Sequence, residues 1–287
     1  MEALHPAIRS REVDNGNGLS MHLMEVGFEE PDRPLVLLLH GFPELAYSWR
    51  NVMLPLADAG YHVVAPDQRG YGRTTGWNSD YNGDLPSFAI GNLVRDVLGL
   101  VWALGRRHVL AVVGHDFGSP VAAYCALMRP DVFRSVVMMS APFAGPPPPT
   151  AMLEGINPLC DGEAVQSEPE VHCALAALER PRKHYQWYYS TPQANDDMRH
   201  CTQGVHDFLR AYFHYKSADW SGNQPFRLNA WSADELEKLP TYYVMDLDSD
   251  MAQTVAPYMP SAEAVADCGW LSETELEVYS GEFGRTG

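Results

Sequence analysis

Positive charge is scarce in this 287-residue chain: 20 Lys and Arg stand against 37 Asp and Glu, a formal net charge of −17. Phosphate backbones and anionic membrane surfaces are repelled by such a balance, so nucleic acid is not an expected partner. Cysteine is sparse as well. Cys125, Cys160, Cys173, Cys201 and Cys268 are odd in number, scattered and without a C-x-x-C pair. That excludes a disulfide framework and a zinc site as readings and fits a reducing, cytoplasmic setting. No basic-then-apolar leader opens the chain, and its longest strongly apolar early run, Leu35 to Leu39, is far too short to span a bilayer. No metal, cofactor or membrane span is expected, and neutral small molecules remain as partners.

What is present is an alternation of short apolar runs and longer helical segments, the pattern of a mostly parallel sheet covered by helices on both faces. Leu19 to Val26 and the segment before it suggest an opening antiparallel pair. Leu35 to Leu39 reads as a strand buried on both faces. It ends in His40-Gly41-Phe42-Pro43, and a helix through Leu45, Trp49, Val52 and Leu56 follows. Tyr61 to Ala65 is the next strand, closed by the turn-rich Pro66 to Arg73. Helical spacing runs from Pro86 to Leu104. His108 to Val113 is a third buried strand that leads into Gly114-His115-Asp116-Phe117-Gly118 and a helix carrying Val121, Tyr124 and Leu127. Ser135 to Met139 is a fourth, ending at Pro142.

Four consecutive prolines, Pro146 to Pro149, stop any preceding element and favour a stiff link. A domain boundary is placed there, between 1–145 and 146–287. Beyond it the strand pattern disappears, and helices are expected at His184 to Ser190, Gly204 to Tyr215, Ala233 to Leu239, Ala262 to Ala266 and Ser272 to Tyr279. From Pro146 onward 22 acidic residues face 9 basic ones, against 15 and 11 before it, so the acidity belongs mainly to the helical part.

A buried strand ending in a glycine-flanked polar residue and turning at once into a helix is a nucleophile elbow. Small residues allow the strained turn that lifts the nucleophile clear of the sheet. Gly114 and Gly118 occupy those positions and Asp116 stands where serine is usual. The alternative is an aspartate capping the following helix, a role Ser119 could share. His40-Gly41-Phe42-Pro43-Glu44 follows the strand expected beside the elbow strand. Its Phe42 N–H, with that of Phe117, would converge on one spot and stabilise an oxyanion.

His40-Gly41-Phe42-Pro43-Glu44, then Asp67-Gln68-Arg69-Gly70-Tyr71-Gly72, then Gly114-His115-Asp116-Phe117-Gly118, in this order and spacing, resemble the three core motifs of epoxide hydrolases in the α/β-hydrolase superfamily. The resemblance implies an α/β-hydrolase core, strands 1–6, with a helical lid. It extends to Tyr185-Gln186-Trp187-Tyr188, similar to the lid segment that carries an epoxide-activating tyrosine, which makes Tyr185 that residue. His40, Gly41, Pro43, Gln186 and Trp187 would line the substrate pocket. The chemistry agrees: a carboxylate attacking an sp3 carbon forms an ester that water can cleave, and a phenol can protonate the alkoxide left by ring opening. Haloalkane dehalogenases share the aspartate but typically follow it with tryptophan, and fluoroacetate dehalogenases with arginine; Phe117 is neither.

Hydrolysis of the ester needs a base, usually a histidine oriented by a carboxylate. In the family that this chain resembles, both come late, with the last two core strands, yet no histidine follows His214 and Ser140-Ala141-Pro142 offers no carboxylate. A chain that forms the ester without releasing it is the expectation. A silent binder of apolar small molecules and a haloalkane-dehalogenase-like hydrolase are the alternatives.

Overall fold

A computed structural model describes residues 4–141, 143, 145 and 168–287. Pro142, Cys160 and the proline run Pro146–Pro149 lie outside the described residues. Six strands form one sheet in the order β1-β2-β4-β3-β5-β6: β1 (Arg9–Asp14), β2 (Ser20–Val26), β3 (Leu35–Leu39), β4 (His62–Pro66), β5 (Ala111–His115) and β6 (Val136–Met139). β1 pairs with β2, and β2 with β4, antiparallel; β4, β3, β5 and β6 run parallel. The uninterrupted leucines and valine of β3 fit its central place, where both faces are covered and all five residues are buried. β3 lies directly beside β5, so the loops after these two strands emerge side by side.

α1 (Arg50–Asp58), α2 (Ile90–Ala103) and α3 (Gly118–Met128) connect the strands. α2 buries Leu93, Val94, Val97, Leu100 and Val101, the single face that a 3.6-residue period produces. The helical spacing from Pro86 is interrupted: a 3-10 turn over Leu85–Phe88 precedes an extended Ala89, and α2 starts only at Ile90. β5 starts three residues later than its apolar run, because Val109 makes only an isolated bridge with Phe133 before the ladder begins.

By its contacts the chain divides into Met1–Phe143, joined by Thr286, and Ala144–Arg285, joined by Gly287. The second unit contains α4 (Glu168–Ala176), α5 (Tyr185–Tyr189), α6 (Pro192–Arg199), α7 (Gly204–Lys216), α8 (Ala233–Leu236), α9 (Met251–Val255), α10 (Ala262–Ala266) and α11 (Glu273–Thr286). The expectation that strands end with the first unit is corrected here. β7 (Arg182–His184) and β8 (Val244–Asp246) pair antiparallel, and three residues are too few to show a period of two. α8 stops at Leu236 rather than Leu239. α11 begins with a capping box in which Ser272 and Glu275 satisfy each other's backbone N–H, and it runs on to Thr286. Val171, Leu175, Ala233, Leu236 and Val244 form a core inside this unit.

Candidate active site

Asp116 closes β5 with a φ of 51°, a left-handed conformation that costs a non-glycine residue roughly 1–2 kcal/mol. Its flanking glycines make that turn possible. A Cβ on Gly114 would collide with the Gly118 carbonyl, and one on Gly118 with the carbonyls of Leu39 and His40. The helix-capping alternative fails on geometry. Phe117, not Asp116, is the N-cap of α3, and no side chain caps it. Asp116 Oδ1 instead accepts the Phe42 N–H at 3.1 Å. Ser119 holds the turn: its Oγ lies 2.7 Å from the Gly114 and Met139 carbonyls and accepts the Met139 N–H at 3.0 Å. Phe117 leaves its ring half exposed.

The loop after β3 is built around that carboxylate. A Cβ on Gly41 would strike Asp116, so only glycine lets the backbone approach. The Phe42–Pro43 peptide bond is cis. His40 belongs to the scaffold and not to a substrate surface, which corrects its assignment to the pocket. It is fully buried, its Nδ1 lies 2.9 Å from the Gly41 carbonyl, and its Nε2 accepts the Gln68 N–H at 3.1 Å. Burial lowers its pKa, which keeps the ring neutral as this bonding requires. Tyr71 stands edge-on to His40 at 5.0 Å. Burial, with the charges of Asp116 and Glu44, raises the Tyr71 phenol's pKa, so it stays protonated beside the site.

Two residues in the motifs had no role assigned from sequence. Glu44 Oε2 accepts the Gly41 N–H at 3.2 Å and lies 2.7 Å from His115 Nδ1; His115 Nε2 in turn lies 2.9 Å from Ser140 Oγ. Burial alone would raise the Glu44 pKa, but the His115 hydrogen bond and charge and the Gly41 N–H outweigh it and the net shift is downward. Nothing in the spacing of Glu44 and His115, 71 residues apart, announces this pair; only the adjacency of β3 and β5 brings them together.

In the second unit, Tyr185 opens α5 directly after β7, and its N–H donates to the Tyr243 carbonyl at 2.8 Å. Its ring sits among His184, Tyr189 and Tyr243, with centroids 5.0, 5.6 and 5.3 Å away. Tyr189 donates to the Tyr212 hydroxyl, and Lys216 lies over the rings of Tyr212, Tyr242 and Tyr243. Gln186 is exposed, while Trp187 packs against the Val171 and Leu175 core. The later histidines make surface pairs: His206 reaches Asp207 and Glu273 at 3.0 Å each, and His200 lies 3.9 Å from Asp196. Among the described residues no helix is long and apolar enough to cross a membrane.

Against known proteins, the family model described as alpha/beta hydrolase fold matches residues 34–236. Epoxide hydrolase B of Mycobacterium tuberculosis is 31% identical over 279 residues, 95% of this chain and 72% of the relative. Epoxide hydrolase 3 of Siraitia grosvenorii is 42% identical over 143 residues, which is 50% of this chain and 42% of that protein. Among solved structures, an epoxide hydrolase from an endophytic Streptomyces superposes with a TM-score of 0.70 at 30% identity, covering 99% of this chain and 70% of that one. Potato (Solanum tuberosum) epoxide hydrolase I gives 0.65 at 31%, with 98% and 70% covered. The match thus spans under half of the Siraitia relative and about seven tenths of the others.

Proposed function

The chain is an epoxide-hydrolase-like member of the α/β-hydrolase family, and on that premise we propose that Asp116 attacks an epoxide carbon and takes the opened ring as an ester. The observation that carries this reading is the 3.1 Å bond from the Phe42 N–H to Asp116 Oδ1 on a residue held at a φ of 51°. One carboxylate oxygen is oriented by the backbone and the other is left to attack. A strained, glycine-flanked turn is an expensive way to place an aspartate with no task.

Tyr185 is the acid of the ring-opening step in this reading, donating to the developing alkoxide. The relatives named as epoxide hydrolases support the substrate class, a small apolar epoxide. Phe42 and Phe117 N–H groups would hold the oxyanion when the ester is cleaved. Cleavage needs a base to activate water; His115, next to Asp116 in sequence, is engaged with Glu44 and Ser140.

Single-turnover kinetics with styrene oxide test the assignment of roles. Loss of one equivalent of epoxide is expected in the wild type, about 100-fold slower loss in Y185F, and none in D116N. Equal rates in D116N and wild type would remove Asp116 from the chemistry.

A further inference from the structure

A second constellation lies toward the β1 edge of the sheet, on strands four (β1) and three (β2) removed from the elbow strand and on the loop after β4, two removed. Ser10 on the edge strand β1 and His22 on β2 share one face of the antiparallel pair, related diagonally in a register that sets Ser10 against Met24 and Glu12 against His22. Ser10 Oγ lies 2.7 Å from His22 Nε2, and His22 Nδ1 lies 2.7 Å from Asp67 Oδ2. Ser10 is exposed, whereas His22 and Asp67 keep only 8% and 3% of their surface.

Asp67 is fixed by more than His22. Its Oδ1 accepts the Ala46 N–H at 2.9 Å and its Oδ2 the Arg73 N–H at 3.0 Å, while a Cβ on Gly72 would collide with the carboxylate. This accounts for the glycine of the Asp67 to Gly72 motif, which the epoxide chemistry does not use. Burial would raise the Asp67 pKa, but the His22 bond and these contacts hold it below its ordinary value, so the group is ionised. With the Asp67 carboxylate at Nδ1, Nε2 is the ring nitrogen that faces the serine hydroxyl.

We propose that Ser10, His22 and Asp67 form a second nucleophilic centre, at which Ser10 Oγ accepts acyl or phosphonyl groups from small activated compounds such as aryl esters. The arrangement meets the geometric test for an activated serine: nucleophile on base, base on an orienting carboxylate, independent of order in the chain. Ser10 Oγ forms a bond to the carbonyl carbon as its proton moves to His22 Nε2. The aryl–oxygen group then departs with that proton as a phenol. Asp67 acts as a positioning residue. Because Ser10 lies on an exposed strand, the centre selects by reactivity and small size: compounds whose leaving group departs without further assistance.

The test uses the full chain and an alkyl fluorophosphonate, which yields a Ser10 phosphonate ester and releases fluoride, the proton passing through Nε2 to solvent. Intact mass should show an adduct, and peptide mapping should place it on Ser10. S10A should lose that adduct, and H22Q should slow it by about 100-fold. Should H22Q not fold, S10C supplies the independent reading. Its new thiol, facing His22, should react with iodoacetamide at least about tenfold faster than the exposed Cys173 in the same molecule. An adduct on another serine but not on Ser10, an unchanged rate in folded H22Q, or alkylation at position 10 no faster than at Cys173 would overturn the proposal.

Discussion

At the residue scale the site depends on atoms that are missing. Gly41, Gly114 and Gly118 each leave a space that a Cβ would fill with a collision against Asp116 or the carbonyls around it. Gly118→Ala should therefore destabilise the chain by about 1–3 kcal/mol, the usual cost of forcing an atom into a packed site, read as a lower midpoint in urea. A midpoint unchanged within error would show that the elbow is looser than described. Far from the elbow, Glu25 is buried without exposure among Arg9, Arg11 and His62. Burial would raise its pKa, but the hydrogen bonds from His62, Arg11 and Arg9 prevail and lower it to about 2. A depressed carboxylate pKa stabilises the fold above its ordinary value of 4.5, and that stabilisation is lost as pH falls toward 2. Glu25→Gln should cost roughly 3 kcal/mol at pH 7 and progressively less below pH 4.5 in denaturant titrations; a pH-independent difference would contradict this assignment. The glycine-flanked aspartate was legible in the sequence because it follows from local chain geometry. The buried His40, the Glu44–His115 pair and the Ser10–His22–Asp67 line were not, since each depends on strands that meet only in the folded sheet.

At the element scale, continuous apolar runs identified the parallel strands, while boundaries moved wherever a neighbour decided them. β5 waits for its ladder until Ala111, and α2 starts beyond a 3-10 turn. The β7–β8 pair escaped notice because two three-residue strands carry no readable period, although they set the position of Tyr185. β6 is the edge of the six-stranded sheet, and Val136, Val137, Met138 and Met139 are 37–48% exposed. Such an edge is a template for association. Val137→Lys should raise the concentration at which the chain aggregates, as followed by light scattering. An unchanged threshold would mean that association uses another surface.

At the scale of the whole molecule, the charge balance and the change of texture near the proline run were both readable from composition. By its contacts the structure divides after Phe143, and the proline run lies outside the described residues. A net charge of −17 predicts no affinity for duplex DNA at low salt; anisotropy that rises with protein and falls with salt would contradict it. Whether an epoxide becomes bonded to Asp116 decides the proposed chemistry. Intact-mass spectrometry after incubation with styrene oxide, followed by peptide mapping, measures it directly. One added epoxide mass is expected, on Asp116, in samples quenched during the reaction. An Asp116 left unmodified at every quench time, or the same adduct in D116N, would contradict its role as the nucleophile.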